Sequence, residues 1–283
     1  MINNIYETSF ILSLIISSRI QDRTMGSIVI LPVVTGGDHM ALLLVTATAE
    51  ELLALFPEKY RPSADNMQEY FPHPVPDGFF PHKEQVFYCL TGTGPVNAAL
   101  ATGICLGILS RSGLEVDRVL VTGLAGAYDL ARIPLCSLCL VREEIWPEYG
   151  LNDGNAVIAQ AFKWPQWQKG PAGPVYDRIP LDSADVFHVT QREIDKSFLL
   201  CSSLTVAGVS ASFERARTLW DRYHADLENM EGFSVAYACA RLAVPCTEIR
   251  VVSNKTGPRR PDEKDFPGAL QRLEELFSLL HLV

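Results

Sequence analysis

The stretch PCTEIRVVSN, residues 245–254, decides how the chain can fold. Its apolar run predicts a buried strand, and Ser253 and Asn254 put polar side chains at the carboxyl end of that strand. Gly257 and Pro258 follow closely and end the strand. Because ligands of open α/β sheets collect at the carboxyl ends of strands, this strand end predicts a ligand contact.

Apolar runs alternate with helical patterns along most of the chain from Met40 onward. Continuous apolar strands between helices predict one α/β domain with a mixed, mostly parallel central sheet flanked by helices. Two Pro-rich segments are predicted as long loops, 57–83 and 147–180. The predicted strands are 41–47, 85–92, 117–123, 137–146, a part of 197–210, 226–230 and 245–254, and the predicted helices are 49–56, 94–113, 213–223, 231–244 and 268–282.

Residues 1–39 form an extension before the domain predicted for 40–283. The apolar run FILSLII is preceded by Glu7 rather than by basic residues, so it does not match a secretory signal. The run is also too short to span a bilayer. A start site assigned too far upstream is the favoured interpretation, and a disordered extension is the alternative.

The composition is that of a globular, acidic protein. The chain has 283 residues, 48% of them hydrophobic, and a formal net charge of −9. An acidic balance argues against a nucleic-acid partner and against an anionic membrane surface. A small molecule is therefore the expected partner.

The seven cysteines and six histidines predict neither disulfides nor a metal site. The cysteine number is odd and most of them lie in apolar runs, which is typical of reduced, buried thiols in a cytoplasmic protein. The Cys136 and Cys139 pair has CxxC spacing, but no second ligand pair follows it, and no two histidines have ligand spacing. We expect no metal and no cofactor.

Two small-residue segments follow predicted strands. LTGTGPVNAA (90–99) holds Gly92 and Gly94, and VLVTGLAGAYD (119–129) holds Thr122, Gly123, Ala125 and Gly126. Glycine lets the backbone approach a ligand closely, and a helix N-terminus favours electron-rich groups. Each segment alone is equally well explained as a tight turn, but two of them at neighbouring strand ends favour a shared binding pocket.

Two acidic segments also lie at strand-to-helix junctions. ENMEG (228–232) presents Met230 and Glu231, whose carboxylate could accept both hydroxyls of a ribose diol beside an apolar contact. TATAEE (46–51) ends in Glu50 and Glu51, one of which is expected to point to the ligand edge as a general base. The alternative for both segments is an ordinary acidic first turn of a helix.

In this order, TATAEE, LTGTGPVNAA, VTGLAGAYD, ENMEG and RVVSN resemble the nucleoside phosphorylase and methylthioadenosine–adenosylhomocysteine nucleosidase superfamily. The resemblance runs from about residue 41 to the C-terminus. Asn254, the following Gly-Pro-Arg and the TATAEE segment make the chain most similar to the futalosine hydrolase family. That resemblance implies hydrolysis of futalosine to hypoxanthine and dehypoxanthine futalosine, in menaquinone biosynthesis, and a homodimer or higher homo-oligomer.

The resemblance also implies roles for individual residues. Glu51 would activate water, with Glu50 as the backup, and Asn254 would meet N7 of the purine. Met230 and Glu231 would contact the ribose. Arg250 and Ser253 would support the strand end. Phe213 would stack on the base.

The amide of Asn254 bears on the identity of the leaving base. An amide donates hydrogen bonds but is no practical proton source, and its donors suit N7 and a 6-oxo group. Asn254 therefore favours hypoxanthine over adenine. No arginine lies in TATAEE or in TGTGPVNAA to hold phosphate, which favours water as the nucleophile. A phosphorylase of 6-oxopurine nucleosides and a non-catalytic nucleoside-binding protein remain the alternatives.

Overall fold

The computed structural model describes residues 40–63, 67–80, 85–154, 156–170, 173–181 and 196–282. The predicted extension, residues 1–39, lies outside the described residues. Within the described ranges, nine strands form one sheet, and four further short strands form two small hairpins.

The strands of the sheet are β1 (Met40–Thr46), β2 (His73–Pro74), β3 (Val86–Leu90), β4 (Glu115–Ala127), β5 (Leu138–Ile145), β10 (Arg178–Pro180), β11 (Leu199–Thr205), β12 (Leu227–Asn229) and β13 (Cys246–Lys255). The hairpins pair β6 (Leu151–Asn152) with β7 (Val157–Ile158), and β8 (Trp167–Gly170) with β9 (Gly173–Val175). The helices are α1 (Ala49–Ala54), α2 (Pro95–Arg111), α3 (Phe213–Tyr223), α4 (Gly232–Arg241), α5 (Phe266–Glu274) and α6 (Leu276–Leu279).

The sheet is mixed, as the sequence predicts. The parallel pairings join β1 to β3 and β4, β11 to β5 and β12, and β13 to β4. Antiparallel pairings join β12 to β4, β13 to β5, and the short strands β2 and β10 to the sheet. Since β13 pairs with both β4 and β5, strands β4, β13, β5, β11 and β12 form a closed ring of pairings. The predicted fold class is confirmed.

The small-residue segment 122–126 is a strand, so its prediction as a turn was wrong. It continues β4, and β13 pairs with it as far as Ala127. The small residues are explained by side chains that occupy the neighbouring space. A Cβ on Gly123 would lie 2.6 Å from Glu51 Oε1, and one on Gly126 would lie 2.8 Å from Thr256 Oγ1.

The main core lies between the sheet and the helices α1, α5 and α6, where large apolar side chains are removed from water. Phe277 packs against three other rings, with centroid distances of 5.0 Å to Phe80, 5.7 Å to Phe79 and 5.9 Å to Phe56. This aromatic cluster fixes α1 against the C-terminal helices. Because α1 carries Glu51, the core also fixes one wall of the site described below.

Two other predictions need correction. The C-terminal helix predicted for 268–282 divides into α5 and α6 at Glu275. The segment 147–180 is not a plain loop, because it contains both hairpins and the edge strand β10.

Six of the seven cysteines are buried free thiols as predicted, whereas Cys136 is partly exposed. In the described ranges, every helix is too short or too polar to cross a membrane.

Candidate active site

A cavity of about 170 Å³ opens at the carboxyl ends of β1, β4, β12 and β13. Three carboxylates line it, those of Glu51, Glu228 and Glu231. The lining also includes Thr48, Thr93, Met230, Ser210, Asn254 and Thr256. The strand ends therefore meet where parallel sheets ordinarily bind ligands.

Glu51 is held by a capping box at the start of α1. Its Oε2 accepts from the backbone N–H and the hydroxyl of Thr48, both at 3.1 Å, while Thr48 Oγ1 accepts from the Glu51 N–H. Its Oε1 accepts from the backbone N–H of Leu124 at 2.8 Å. A carboxylate has about four acceptor positions, so roughly one remains for a donor in the cavity.

The pKa of Glu51 is raised above the ordinary value of a glutamate. Burial is the main cause because it disfavours the charged form, and the carboxylate of Glu231 also raises the pKa. The Leu124 N–H and the Arg250 guanidinium oppose the shift. A carboxylate with this combination of burial and partners is suited to accept a proton from water.

Glu231 lines the same cavity as Glu51 and directly precedes α4. Its Oε1 accepts from the backbone N–H of Gly94 at 3.0 Å, and its Oε2 lies 3.6 Å from Arg250 Nη1. Gly94 has a φ of 93°, which explains the glycine before α2. The N–H of Gly94 therefore binds Glu231, and the remaining acceptor positions of Glu231 are left for ligand hydroxyls.

A buried polar network lies behind Glu231. Arg250 is 1% exposed, and its Nε donates to Glu248 Oε1 at 2.7 Å. Asn229 Oδ1 accepts from the N–H groups of Glu231 and Gly232 at 2.8 Å, and its Nδ2 donates to Glu144 Oε1 at 2.6 Å. This network fixes the backbone at the start of α4, and so the direction of the Glu231 side chain.

Glu144 and Glu248 form a buried carboxyl pair within this network. Both are fully buried, and burial followed by the charge of Glu248 raises the pKa of Glu144 well above its ordinary value. Two carboxylates this close cannot both ionise without a large cost, so the protonated form of Glu144 is favoured.

The amide of Asn254 has a fixed orientation. Its Nδ2 donates to the carbonyl oxygen of Lys255 at 2.8 Å, and its Oδ1 accepts from Ser253 Oγ at 3.0 Å. A carbonyl can only accept, so rotation of the amide by 180° would oppose two oxygens. One amide hydrogen of Asn254 therefore remains for a ligand.

The structure gathers some of the predicted site residues and separates others. Those that line the cavity are Glu51, Ala125, Gly126, Met230, Glu231, Ser253 and Asn254. Arg250 lies behind the cavity wall, Thr122 and Gly123 are inside β4, and Gly92 and Gly94 flank Thr93, which is the lining residue of that turn.

The structure does not bring Glu50 and Phe213 into the lining of the cavity, and the roles implied for them stay predictions. Glu50 is exposed on α1, because only every third or fourth residue of a short helix can face the sheet. Phe213 is the first residue of α3, where its ring packs against the Lys255 ammonium and the Arg260 guanidinium. Neither residue is among those that line the cavity.

Several residues that line the cavity were not predicted from the sequence. Glu228 is two residues before Met230 in the same motif, and it accepts from Ser210 N, Ser210 Oγ and Tyr128 Oη at 2.7 to 2.9 Å. Arg259 follows Asn254 by five residues in the Gly-Pro-Arg segment. Proximity to a recognised motif was the available signal for both residues, whereas Ser210 and Phe266 carry no such signal.

The chain is similar in sequence to known proteins. A sequence model described as the phosphorylase superfamily matches residues 185–280. The futalosine hydrolase of Thermus thermophilus is 34% identical over 172 residues, which is 61% of this chain and 70% of that protein. The futalosine hydrolase of Streptomyces coelicolor is 27% identical over 194 residues, or 66% and 72% of the two chains.

Solved structures share the fold at low identity. A futalosine hydrolase mutant of Helicobacter pylori has a TM-score of 0.63 at 18% identity, over 86% of this chain and 98% of that one. A 5′-methylthioadenosine/S-adenosylhomocysteine nucleosidase of the same organism, with an immucillin compound, has a TM-score of 0.62 at 18% identity, over 87% and 99%. With the Thermus relative matched over 70% of its length, this chain belongs to the futalosine hydrolase family.

Proposed function

We propose that the protein hydrolyses the N-ribosidic bond of futalosine and releases hypoxanthine and dehypoxanthine futalosine. The observation that carries this proposal is the meeting of Glu51, Glu231 and Asn254 in one cavity, each with acceptor or donor capacity left for a ligand. The names of the relatives support the same substrate.

In this proposal the ribose binds beside the carboxylates of Glu51 and Glu231. Glu231 accepts hydrogen bonds from the 2′ and 3′ hydroxyls and thereby positions C1′. Water held by Glu51 attacks C1′, the C1′–N9 bond breaks, and Glu51 takes the proton of the water. Hypoxanthine leaves with the bonding electron pair and takes up one proton from solvent. Glu51 then releases its proton to solvent, so that the sum of the reaction is addition of water.

The departing base is stabilised rather than protonated by Asn254. Negative charge develops on the purine as the bond breaks, and a hydrogen bond aimed at N7 favours that charge. Asn254 has one amide hydrogen for this contact. An amide does not deliver a proton at neutral pH, so the hydrogen bond is the contribution of this side chain.

Water is a better nucleophile than phosphate for this cavity. A phosphate at C1′ would lie beside the carboxylates of Glu51 and Glu231, and like charges at close range repel each other in a poorly solvated site. Neutral water has no such cost. We therefore propose hydrolysis, rather than phosphorolysis, as the reaction.

We also propose that the protein is cytoplasmic and that it forms a homo-oligomer. Three large apolar side chains of α2 are exposed, Val96 by 79%, Leu100 by 54% and Ile104 by 37%. Their spacing of four residues puts them on one side of the helix, whose other side packs in the core. A helix with apolar side chains all round is typically buried on all sides, so we propose that another copy of the chain covers the exposed side of α2.

The test is release of hypoxanthine from futalosine by the purified protein in phosphate-free buffer, followed by chromatography. We expect release that does not depend on added phosphate. A phosphate requirement, with ribose 1-phosphate formed from inosine, would establish the phosphorylase alternative instead. Tight binding of futalosine without cleavage would establish a binding protein.

A further inference from the structure

Arg259 is the one cationic side chain among the described residues that line the cavity. It lies in the Gly257-Pro258-Arg259 turn after β13, with a φ of 54° that is uncommon for a residue other than glycine. Such backbone conformations persist where the surroundings hold them, often at ligand contacts. This turn directs the arginine into the cavity.

The guanidinium of Arg259 has no partner in the described part of the chain. Its Nε–H is buried without a hydrogen-bond acceptor, and it forms no ion pair there. A buried donor without an acceptor costs free energy, so an absent ligand is the natural acceptor.

In the described part of the chain, no carboxylate of the cavity forms an ion pair with Arg259, and the hydrogen bonds that these carboxylates accept come from other donors. Glu228 binds Ser210 and Tyr128, Glu51 binds Thr48 and Leu124, and Glu231 binds Gly94 and Arg250. An anionic ligand would be repelled by these three carboxylates unless a cation compensates for them. Arg259 is placed to do this.

The two neighbouring cations are already engaged elsewhere. Lys255 pairs with Glu263 at 3.0 Å, and Arg260 packs over the ring of Phe213 at 4.9 Å. Neither lines the cavity. Arg260 therefore provides a matched control, since it is an arginine of the same turn with its guanidinium outside the cavity.

An aromatic surface accompanies the cation. Phe266 begins α5, lines the same cavity and is 40% exposed. An arginine and a phenyl ring that line one cavity suit a ligand with an aromatic ring and a carboxylate, since the ring can pack while the guanidinium binds both carboxylate oxygens.

We propose that Arg259 binds the carboxylate of the aromatic acid at the 5′ side of the substrate, and that Phe266 packs against its ring. This inference rests on the proposed function, because futalosine carries such a benzoate group. It makes Arg259 a specificity-determining residue that separates carboxylate-bearing nucleosides from simple purine nucleosides.

The experiment compares Arg259→Gln, Arg260→Gln and the parent protein on futalosine, its methyl ester and inosine. For Arg259→Gln we expect kcat/KM on futalosine to fall about 10- to 100-fold, the usual loss for one hydrogen bond to a charged group. The ester and inosine should be cleaved by Arg259→Gln as by the parent, and Arg260→Gln should match the parent on all three.

A second variant separates the ring from the charge. Phe266→Leu should weaken cleavage of futalosine and of its ester to the same extent and leave inosine unchanged. Equal losses on inosine and futalosine in Arg259→Gln, or no loss on futalosine, would overturn the inference while leaving the proposed function intact. If the parent protein does not cleave futalosine at all, the proposed function fails and this inference fails with it.

Discussion

Asn254 shows how two hydrogen bonds within the protein select what a side chain offers to a ligand. The Lys255 carbonyl takes one amide hydrogen, and Ser253 occupies the amide oxygen. What remains is a single donor on a side chain that lines the cavity. This single donor matches the acceptor nitrogen of a purine and disfavours contact with an amino group.

Asn254→Asp should reverse that preference. A carboxylate would oppose the carbonyl of Lys255, so the new side chain would hold a proton, donate it to that carbonyl and offer only acceptors to the base. We expect kcat/KM on futalosine to fall about 10- to 100-fold, with a relative gain for adenine nucleosides. Kinetics on futalosine, inosine and adenosine measure this change.

Ser253→Ala is the matched control for that substitution. It removes the hydroxyl that binds the amide oxygen but keeps the contact to Lys255, so its effect should be smaller than that of Asn254→Asp. Unchanged futalosine hydrolysis in Asn254→Asp would contradict the role given to the amide.

Glu51→Gln should abolish most of the activity. Loss of a general base typically costs about 10² to 10⁴ in rate, whereas Glu50→Gln, on the exposed side of α1, should stay near the parent rate. Only ionised Glu51 can accept a proton, so activity should fall as the pH falls through its raised pKa. The acid limb of the pH–rate profile should therefore lie above 4.5, the ordinary value for glutamate.

Two outcomes would contradict the prediction for Glu51. Full activity of Glu51→Gln would remove it as the base. An acid limb at or below the ordinary glutamate value would contradict the effect of burial on its pKa.

Among the elements, α4 depends on its first residue having no side chain. A Cβ on Gly232 would lie 2.5 Å from Glu144 Oε1 and from Glu248 Oε1, atoms that the buried network holds in place. We expect Gly232→Ala to lower the free energy of unfolding by about 2–4 kcal/mol, the range of a disrupted buried polar network. Urea denaturation measures this loss.

Gly107→Ala serves as the control for that substitution. Gly107 lies inside α2 with open space around its Cβ position, so alanine there should be neutral or stabilise by about 0.5–1 kcal/mol. Equal unfolding midpoints for Gly232→Ala and the parent protein would show that the network can move aside.

Strand β4 marks the limit of what the sequence reveals at this scale. Thr122 to Gly126 resemble a turn because glycine is typical of turns. The small residues are needed for another reason, which is that Glu51, Thr256 and Asn254 fill the adjoining space. Those neighbours come from distant segments, so no local pattern could reveal them.

For the whole molecule, the fold class and a part of the cavity were predictable. Asn254, Glu51, Met230 and Glu231 lie in short motifs at strand ends, where the alternation of strands and helices already converges. Ser210 and Phe266 were not predictable, because their role depends on packing between segments distant in sequence. The closed ring of strand pairings was missed for the same reason.

The exposed side of α2 should matter for assembly. If copies of the chain associate through it, the double substitution Val96→Ser and Leu100→Ser should lower the mass measured by analytical ultracentrifugation. Trp220→Ser, at a 44% exposed position on α3, should leave that mass unchanged. A parent protein that is monomeric at all concentrations would contradict the proposed assembly.

The carboxyl pair of Glu144 and Glu248 has a consequence for the energetics of the whole chain. Glu144 keeps a proton in the folded protein at a pH where the unfolded chain, with an ordinary pKa of 4.5, has released it to solvent. Folding therefore takes up a proton from the buffer. The stability linked to this group is complete in acid below the ordinary value, and it is lost as the pH rises through the raised pKa. A protein whose proposed reaction depends on an ionised Glu51 thus gains activity with rising pH while this part of its stability declines.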